Sequence, residues 1–112
     1  MADEQVLCRA YVTIMVNHGV GQRKGGDLVV TNRRLILQGH EIEQHQLSEI
    51  RSVRYSAGFK HKRNPRKDVP PSLTLKLMRP GGWGDLCDTD WYIQSDKIEE
   101  LNAAFQKAMM LA

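Results

Sequence analysis

Gly26-Asp27-Leu28-Val29-Val30-Thr31-Asn32-Arg33-Arg34-Leu35-Ile36-Leu37 reads as two strands joined by a tight turn. Leu28, Val29 and Val30 favour a pleated, half-buried surface, and Leu35, Ile36 and Leu37 do so again. Asn32-Arg33 supplies the reversal between them, because an asparagine can satisfy the turn backbone with its own side chain. The strands are set at residues 27–31 and 34–38.

The same alternation continues on both sides. Upstream, residues 6–16 form a long strand with Val12, Ile14 and Val16 on one face and Tyr11, Thr13 and Met15 on the other. Residues 17–26 carry four glycines in ten and are read as a flexible loop holding Arg23 and Lys24. Downstream, Gly39-His40 turns the chain into a weaker strand over 41–45, which Ser48 and Glu49 break. From Ile50 a period of two puts Val53, Tyr55, Ala57 and Phe59 inward. Pro70 and Pro71 end that run in a loop, since neither can donate to a sheet ladder. Leu73, Leu75 and Leu77 alternate in the next strand. A glycine-rich turn over 79–85 contains Trp83. The last strand carries Cys87, Thr89, Trp91 and Ile93 on one face, with Asp88, Asp90, Tyr92 and Gln94 on the other. The period then lengthens: Ile98, Leu101, Phe105, Ala108 and Met109 fall on one helical stripe over about 96–110, with Ser95 as N-cap.

The count is seven antiparallel strands and one C-terminal helix. The predicted architecture is mainly β: a bent seven-stranded sheet or partly open barrel, with the helix's apolar stripe plugging one end. The chain of 112 residues and 12.8 kDa is read as one domain, 1–112. Hydrophobic residues at 41% exclude a disordered tail. No run approaches the roughly 18–20 apolar residues of a spanning helix. Asp3 and Glu4 precede the most apolar stretch, against a signal peptide, so the expected location is cytoplasmic, with peripheral membrane contact. Cys8 and Cys87 sit in no metal or redox spacing and are read as buried free thiols.

At this point the chain resembles the pleckstrin-homology-like (PH-like) superfamily. Gly26–Leu37 is similar to the second and third strands of GRAM, GLUE and bacterial PH-like domains, which favour Gly, an apolar strand, Thr-Asn, a basic residue and Arg-Leu-Ile. Leu47-Ser48-Glu49-Ile50-Arg51-Ser52-Val53 resembles their next landmark. The resemblance implies a non-catalytic module binding phosphoinositides or other anionic lipids, ubiquitin or peptides. PH domains that read inositol phosphates place a Lys late on the first strand and an Arg-x-Arg-like pair on the second. Here those places hold Asn17-His18 and Asp27-Leu28-Val29, a departure from specific inositol-phosphate recognition.

The charge is segregated. Residues 51–67 hold Arg51, Arg54, Lys60, Lys62, Arg63, Arg66 and Lys67 and no acid, a segment of +7 in a chain of +3, which leaves the rest at −4. Such a segment points to an anionic partner. At about 1 kcal/mol per cation, five loop cations give about 5 kcal/mol against an anionic membrane. That is a weak anchor, for which Trp83 is the expected second element at the interface. Arg23, Lys24, Lys60, Lys62, Arg63, Arg66 and Lys67 are the candidate anionic-ligand residues. Nucleic acid is the less favoured partner, because the nearby aromatics Tyr55 and Phe59 are read as inward. His40 and His45 fall on opposite strand faces, and no nucleophile elbow or P-loop is present, so no metal, cofactor or catalytic residue is expected. The leading expectation is a binding module for anionic membrane lipids. The alternative is a protein-interaction or assembly module, including a homo-oligomer joined at sheet edges.

Overall fold

A computed structural model describes residues 3–17, 22–78 and 89–111. Its strands are β1 (Val6–Asn17), β2 (Gln22–Thr31), β3 (Arg34–Gln38), β4 (Ile42–Gln46), β5 (Ile50–Ser56), β6 (Ser72–Leu77) and β7 (Thr89–Gln94), followed by the helix α1 (Ile98–Leu111). One antiparallel sheet runs in the order β4-β3-β2-β1-β7-β6-β5 and does not close. The seven strands and terminal helix are those expected from the sequence.

Alternation decides what is buried. Val12, Ile14 and Val16 face the core from β1, as do Leu73, Leu75 and Leu77 from β6, while Tyr11, Thr13 and Met15 face solvent. Trp91 and Ile93 point inward from β7. The stripe Ile98, Leu101, Ala104, Phe105 and Ala108 of α1 is buried against the same cluster. Ser95 Oγ accepts the Lys97 N–H at 3.2 Å and donates to the Tyr11 carbonyl at 2.7 Å, fixing the helix start to the sheet.

The Thr-Asn turn has a physical basis. Thr31 is 2% exposed. Its Oγ1 accepts the N–H groups of Arg33 at 3.1 Å and Arg34 at 3.0 Å, and its proton faces Glu4 Oε2 at 2.9 Å and the Arg34 carbonyl at 3.0 Å. Arg34 grips both oxygens of Glu4, each at 2.9 Å, through Nε and Nη2. Asn32 exchanges hydrogen bonds with Gln5, so the chain start is stapled to the β2–β3 turn.

Three boundaries differ from the sequence reading. Residues 22–26 are strand, so Arg23 and Lys24 sit on β2 and not in a loop. The glycines there mark close approach instead of flexibility: a Cβ on Gly26 would lie 2.6 Å from the Gln38 carbonyl oxygen, and one on Gly25 3.2 Å from the Tyr11 hydroxyl. The period of two in β5 stops at Ser56, leaving Ala57 and Phe59 exposed instead of inward. Gly58 at φ +82° turns the chain there. Helix α1 begins two residues late because Asp96 and Lys97 form its lead-in turn. Cys8 is half-buried, and burial pushes its thiol up. His18, Trp83, Cys87, Asp88 and the turn over 79–85 lie outside the described residues.

Thr31→Val should leave two amide donors without their acceptor and cost about 1–3 kcal/mol in urea unfolding, with Thr31→Ser near wild type. A Thr31→Val protein as stable as wild type would refute this role for the hydroxyl. The Arg34 hydrogen bonds, then Thr31, hold the Glu4 carboxyl below the ordinary carboxylate range. A depressed folded pKa gives stability that is complete above the unfolded value and lost as pH falls through the folded one. Glu4→Gln should therefore flatten the acid limb of the stability profile, and an unchanged limb would remove Glu4 from acid unfolding.

Candidate functional site

The β5–β6 connection is a built structure. Ser56 pairs with Ser72 at its neck, and Phe59 and Val69 then form an isolated antiparallel bridge. Phe59 N–H donates to the Val69 carbonyl at 2.8 Å and Val69 N–H to the Phe59 carbonyl at 2.6 Å. A Cβ on Gly58 would collide with the Val69 carbonyl oxygen, so this clip needs glycine beside it.

Beyond the clip, three side chains hold the tip. Asp68 Oδ1 accepts the His61 N–H at 2.6 Å. His61 Nδ1 accepts the N–H groups of Arg63 at 3.3 Å and Asn64 at 3.0 Å, so in this conformation Nδ1 carries no proton. Asn64 Oδ1 accepts the Arg66 N–H at 3.1 Å, and its carbonyl accepts the Lys67 N–H at 3.0 Å, closing a 3₁₀ turn over Pro65–Lys67. The His61 ring meets the Phe59 ring edge-on at 6.2 Å. Local side-chain acceptors thus do here what ladder bonds do in the sheet.

This frame displays Lys60, Lys62, Arg63, Arg66 and Lys67, all exposed, and none forms an ion pair with a described residue. Phe59 at 59% and Val69 at 53% exposure stand at their base, with Pro70 and Pro71 also exposed. Like charges spread over eight residues repel, so an ordered presentation needs the clip and the braces. Beside Pro70 and Pro71 lies a groove of about 730 Å³, floored by Tyr11, Thr13 and Gln94 and walled by the start of α1.

Arg23 and Lys24 do not join this group. Arg23 is in register with Met15, Met15 with Tyr92, Tyr92 with Thr74 and Thr74 with Arg54. That is four strand spacings, about 19 Å along the sheet, and the cationic tip lies further on beyond Ser56. Lys24 is engaged: its Nζ is 2.8 Å from Glu43 Oε2 and 5.6 Å from the Trp91 ring centre. Burial alone would raise the Glu43 carboxyl, but Lys24 and His45 outweigh it and hold it below the ordinary range. His45 bridges Glu43 at 3.0 Å and Glu49 at 3.1 Å, with its ring edge-on to Trp91 at 5.2 Å. A second cavity of about 290 Å³, touched by Arg23, Lys24, Glu41 and Glu43, therefore holds both signs of charge and is no cationic pocket. Among the described residues no group of His, Cys, Asp and Glu is placed to hold a metal.

The sequence names the five tip cations as candidates but does not show their setting. It reads Phe59 inward and assigns no bracing role to His61, Asn64 or Asp68. Gly58 before the cationic run and the two prolines after it are the signals that mark a clipped loop. Trp83 lies outside the described residues, whereas Phe59 and Val69 supply exposed apolar surface beside the cations.

No protein-family model matches the sequence, and no curated protein does. Solved structures match in fold. A chain of "The 8S snRNP Assembly Intermediate" gives a TM-score of 0.68 at 13% identity, covering 96% of this chain and 84% of that one. The C-terminal domain of an unknown protein from Leishmania infantum gives 0.63 at 17%, covering 96% and 85%. The Vps36 N-terminal PH domain gives 0.61 at 19%, covering 96% and 80%. The unclosed seven-stranded sheet with its terminal helix is a PH-like fold, as the Thr-Asn motif implied.

The tip should loosen without the domain unfolding when its braces go. In His61→Ala the amides of Arg63 and Asn64 lose their acceptor, so their hydrogen exchange should accelerate at least about tenfold while global stability moves by only about 1 kcal/mol. Unchanged exchange at both amides would show that His61 does not brace the loop.

Proposed function

We propose that this protein is a non-catalytic binding module that docks on anionic membrane lipids through the clipped loop over residues 59–69. The observation that carries the reading is the coincidence of five exposed cations, without an ion pair among the described residues, and an exposed Phe59–Val69 pair on one braced loop. Cations alone bind weakly. Five at about 1 kcal/mol each give about 5 kcal/mol, and partial burial of Phe59 and Val69 in the interfacial region adds about 2 kcal/mol. The sum of about 7 kcal/mol corresponds to a dissociation constant on the order of 10 µM. The loop is ordered before contact, which lowers the entropic cost of docking. No element of this scheme distinguishes one headgroup from another at equal charge, so the lipid class is set by charge density. The mixed-charge cavity at Arg23 and Lys24 fits this absence of a dedicated headgroup pocket.

Nothing in the reading requires a helix that crosses the bilayer, and no helix among the described residues is long and apolar enough to do so. A protein-interaction role is the second reading. It is favoured by the unpaired outer sides of β4 and β5 among the described residues and by likeness to a chain in an assembly intermediate. The two readings part on salt: membrane docking by exposed cations weakens steeply with ionic strength, whereas backbone pairing at a sheet edge does not.

Co-sedimentation with phosphatidylserine vesicles, with neutral vesicles as control, tests the proposal. Lys62→Glu/Arg63→Glu/Arg66→Glu should lower binding at least about 100-fold and Phe59→Ser about tenfold, whereas Arg23→Glu should stay within about twofold. Failure of the wild type to bind anionic vesicles at low salt, or equal binding by the triple variant, would reject the membrane reading.

A further inference from the structure

The groove beside Pro70 and Pro71 lies at the base of the loop that carries the cationic tip, and its helical wall carries exposed Asp96, Glu99 and Glu100. None of these carboxylates forms an ion pair with a described residue. Cations on one side of Pro70 and Pro71 and carboxylates on the other thus form no ion pair with each other. The tip is tied to itself through His61, Asn64 and Asp68, beyond the Phe59–Val69 clip.

Two adjacent, mutually complementary patches are what a two-fold interface requires, because each copy then presents to the other what it lacks. We propose that two copies of this chain pair isologously through this face, the cationic tip of each lying against the acidic groove wall of the other. The tip supplies five cations against one carboxylate, Asp68, and the groove wall three carboxylates against one cation, Lys97. A volume of about 730 Å³ admits several side chains of the tip. Exposed ion pairs are individually weak, so the pair is a reversible dimer that salt dissolves. The inference rests on the reading of the tip as the membrane-facing surface and adds its regulation: the dimer covers the same cations, so self-pairing and lipid docking compete.

Light scattering on the full chain, at the highest soluble concentration, is the test. At low salt (about 10 mM, a screening length of about 30 Å) the mass should approach twice 12.8 kDa, and at about 1 M salt (about 3 Å) it should fall to the monomer. Lys62→Glu/Arg63→Glu and Glu99→Lys/Glu100→Lys should each be monomeric at low salt, and a one-to-one mixture of the two should restore the dimer, since each reversed tip then meets a reversed wall. The four positions are exposed, and unfolding curves for both variants confirm that they fold. With phosphatidylserine vesicles, wild type should shift from dimer to bound monomer. A wild type that stays monomeric at low salt, a dimer indifferent to salt and to both charge reversals, or a mixture that stays monomeric would overturn the proposal. The same holds if the groove accepts only an added oligolysine peptide and never a second copy. Vesicle binding by a protein that never dimerises overturns this inference and leaves the membrane reading standing. A salt-sensitive, mixture-rescued dimer with no vesicle binding supports the pairing and removes the membrane reading.

Discussion

A seven-stranded sheet that does not close has an inner face it cannot bury by itself, and every other feature of this molecule depends on how α1 solves that. The helix brings Ile98, Leu101, Phe105 and Ala108 against Val12, Ile14, Leu73, Leu75 and Trp91. Fully burying such a side chain contributes roughly 1.5–3 kcal/mol, so the helix stripe is a large share of what holds the two ends of the sheet together. The helix can do this only if it starts in the right place. Ser95 ensures it by linking the Lys97 amide to the Tyr11 carbonyl of β1. The Thr31 hydroxyl plays the corresponding part at the first turn, where a buried polar group is tolerable because its hydrogen-bonding capacity is used.

With the core sealed elsewhere, the β5–β6 connection is free to be built from polar side chains. Among its described side chains none is a buried apolar one, and it takes its order from an isolated backbone bridge and three side-chain acceptors. A loop made this way can present repelling charges in a fixed arrangement, which a mobile segment of the same composition could not. The fold supplies the scaffold and the loop supplies the surface.

The protein also keeps its charges apart by place. At the β2–β4 side, Lys24 is taken up by Glu43, and His45 spans Glu43 and Glu49, so positive charge there is spent on holding the short edge strand β4 over Trp91. Inward-pointing charge of this kind also protects an edge strand from pairing with strangers. At the tip of the β5–β6 connection, Lys60, Lys62, Arg63, Arg66 and Lys67 form no ion pair with a described residue. The same residue types therefore stabilise the molecule in one place and face outward in the other.

Strand count, the inward residues of β1, β6 and β7, the Thr-Asn turn and the helix stripe were legible in the sequence, because each follows from a local period or a local hydrogen bond. The segregation of seven cations was legible for the same reason: it is a property of consecutive residues. What the sequence could not settle was every feature set by contacts between distant segments. Gly25 and Gly26 read as flexible, yet they are small because Tyr11 and Gln38 approach them. Phe59 was read inward on its period of two, but Gly58 and the Val69 bridge re-aim it. Arg23 and Lys24 looked like partners of the basic loop and lie four strands from it, because sheet order does not follow chain order. By itself the sequence determined which residues prefer strand, helix or water, since those preferences act over a few residues. Only the tertiary structure decided which charges are neutralised and which stand free, since that depends on the neighbours the folded sheet brings within a few ångströms.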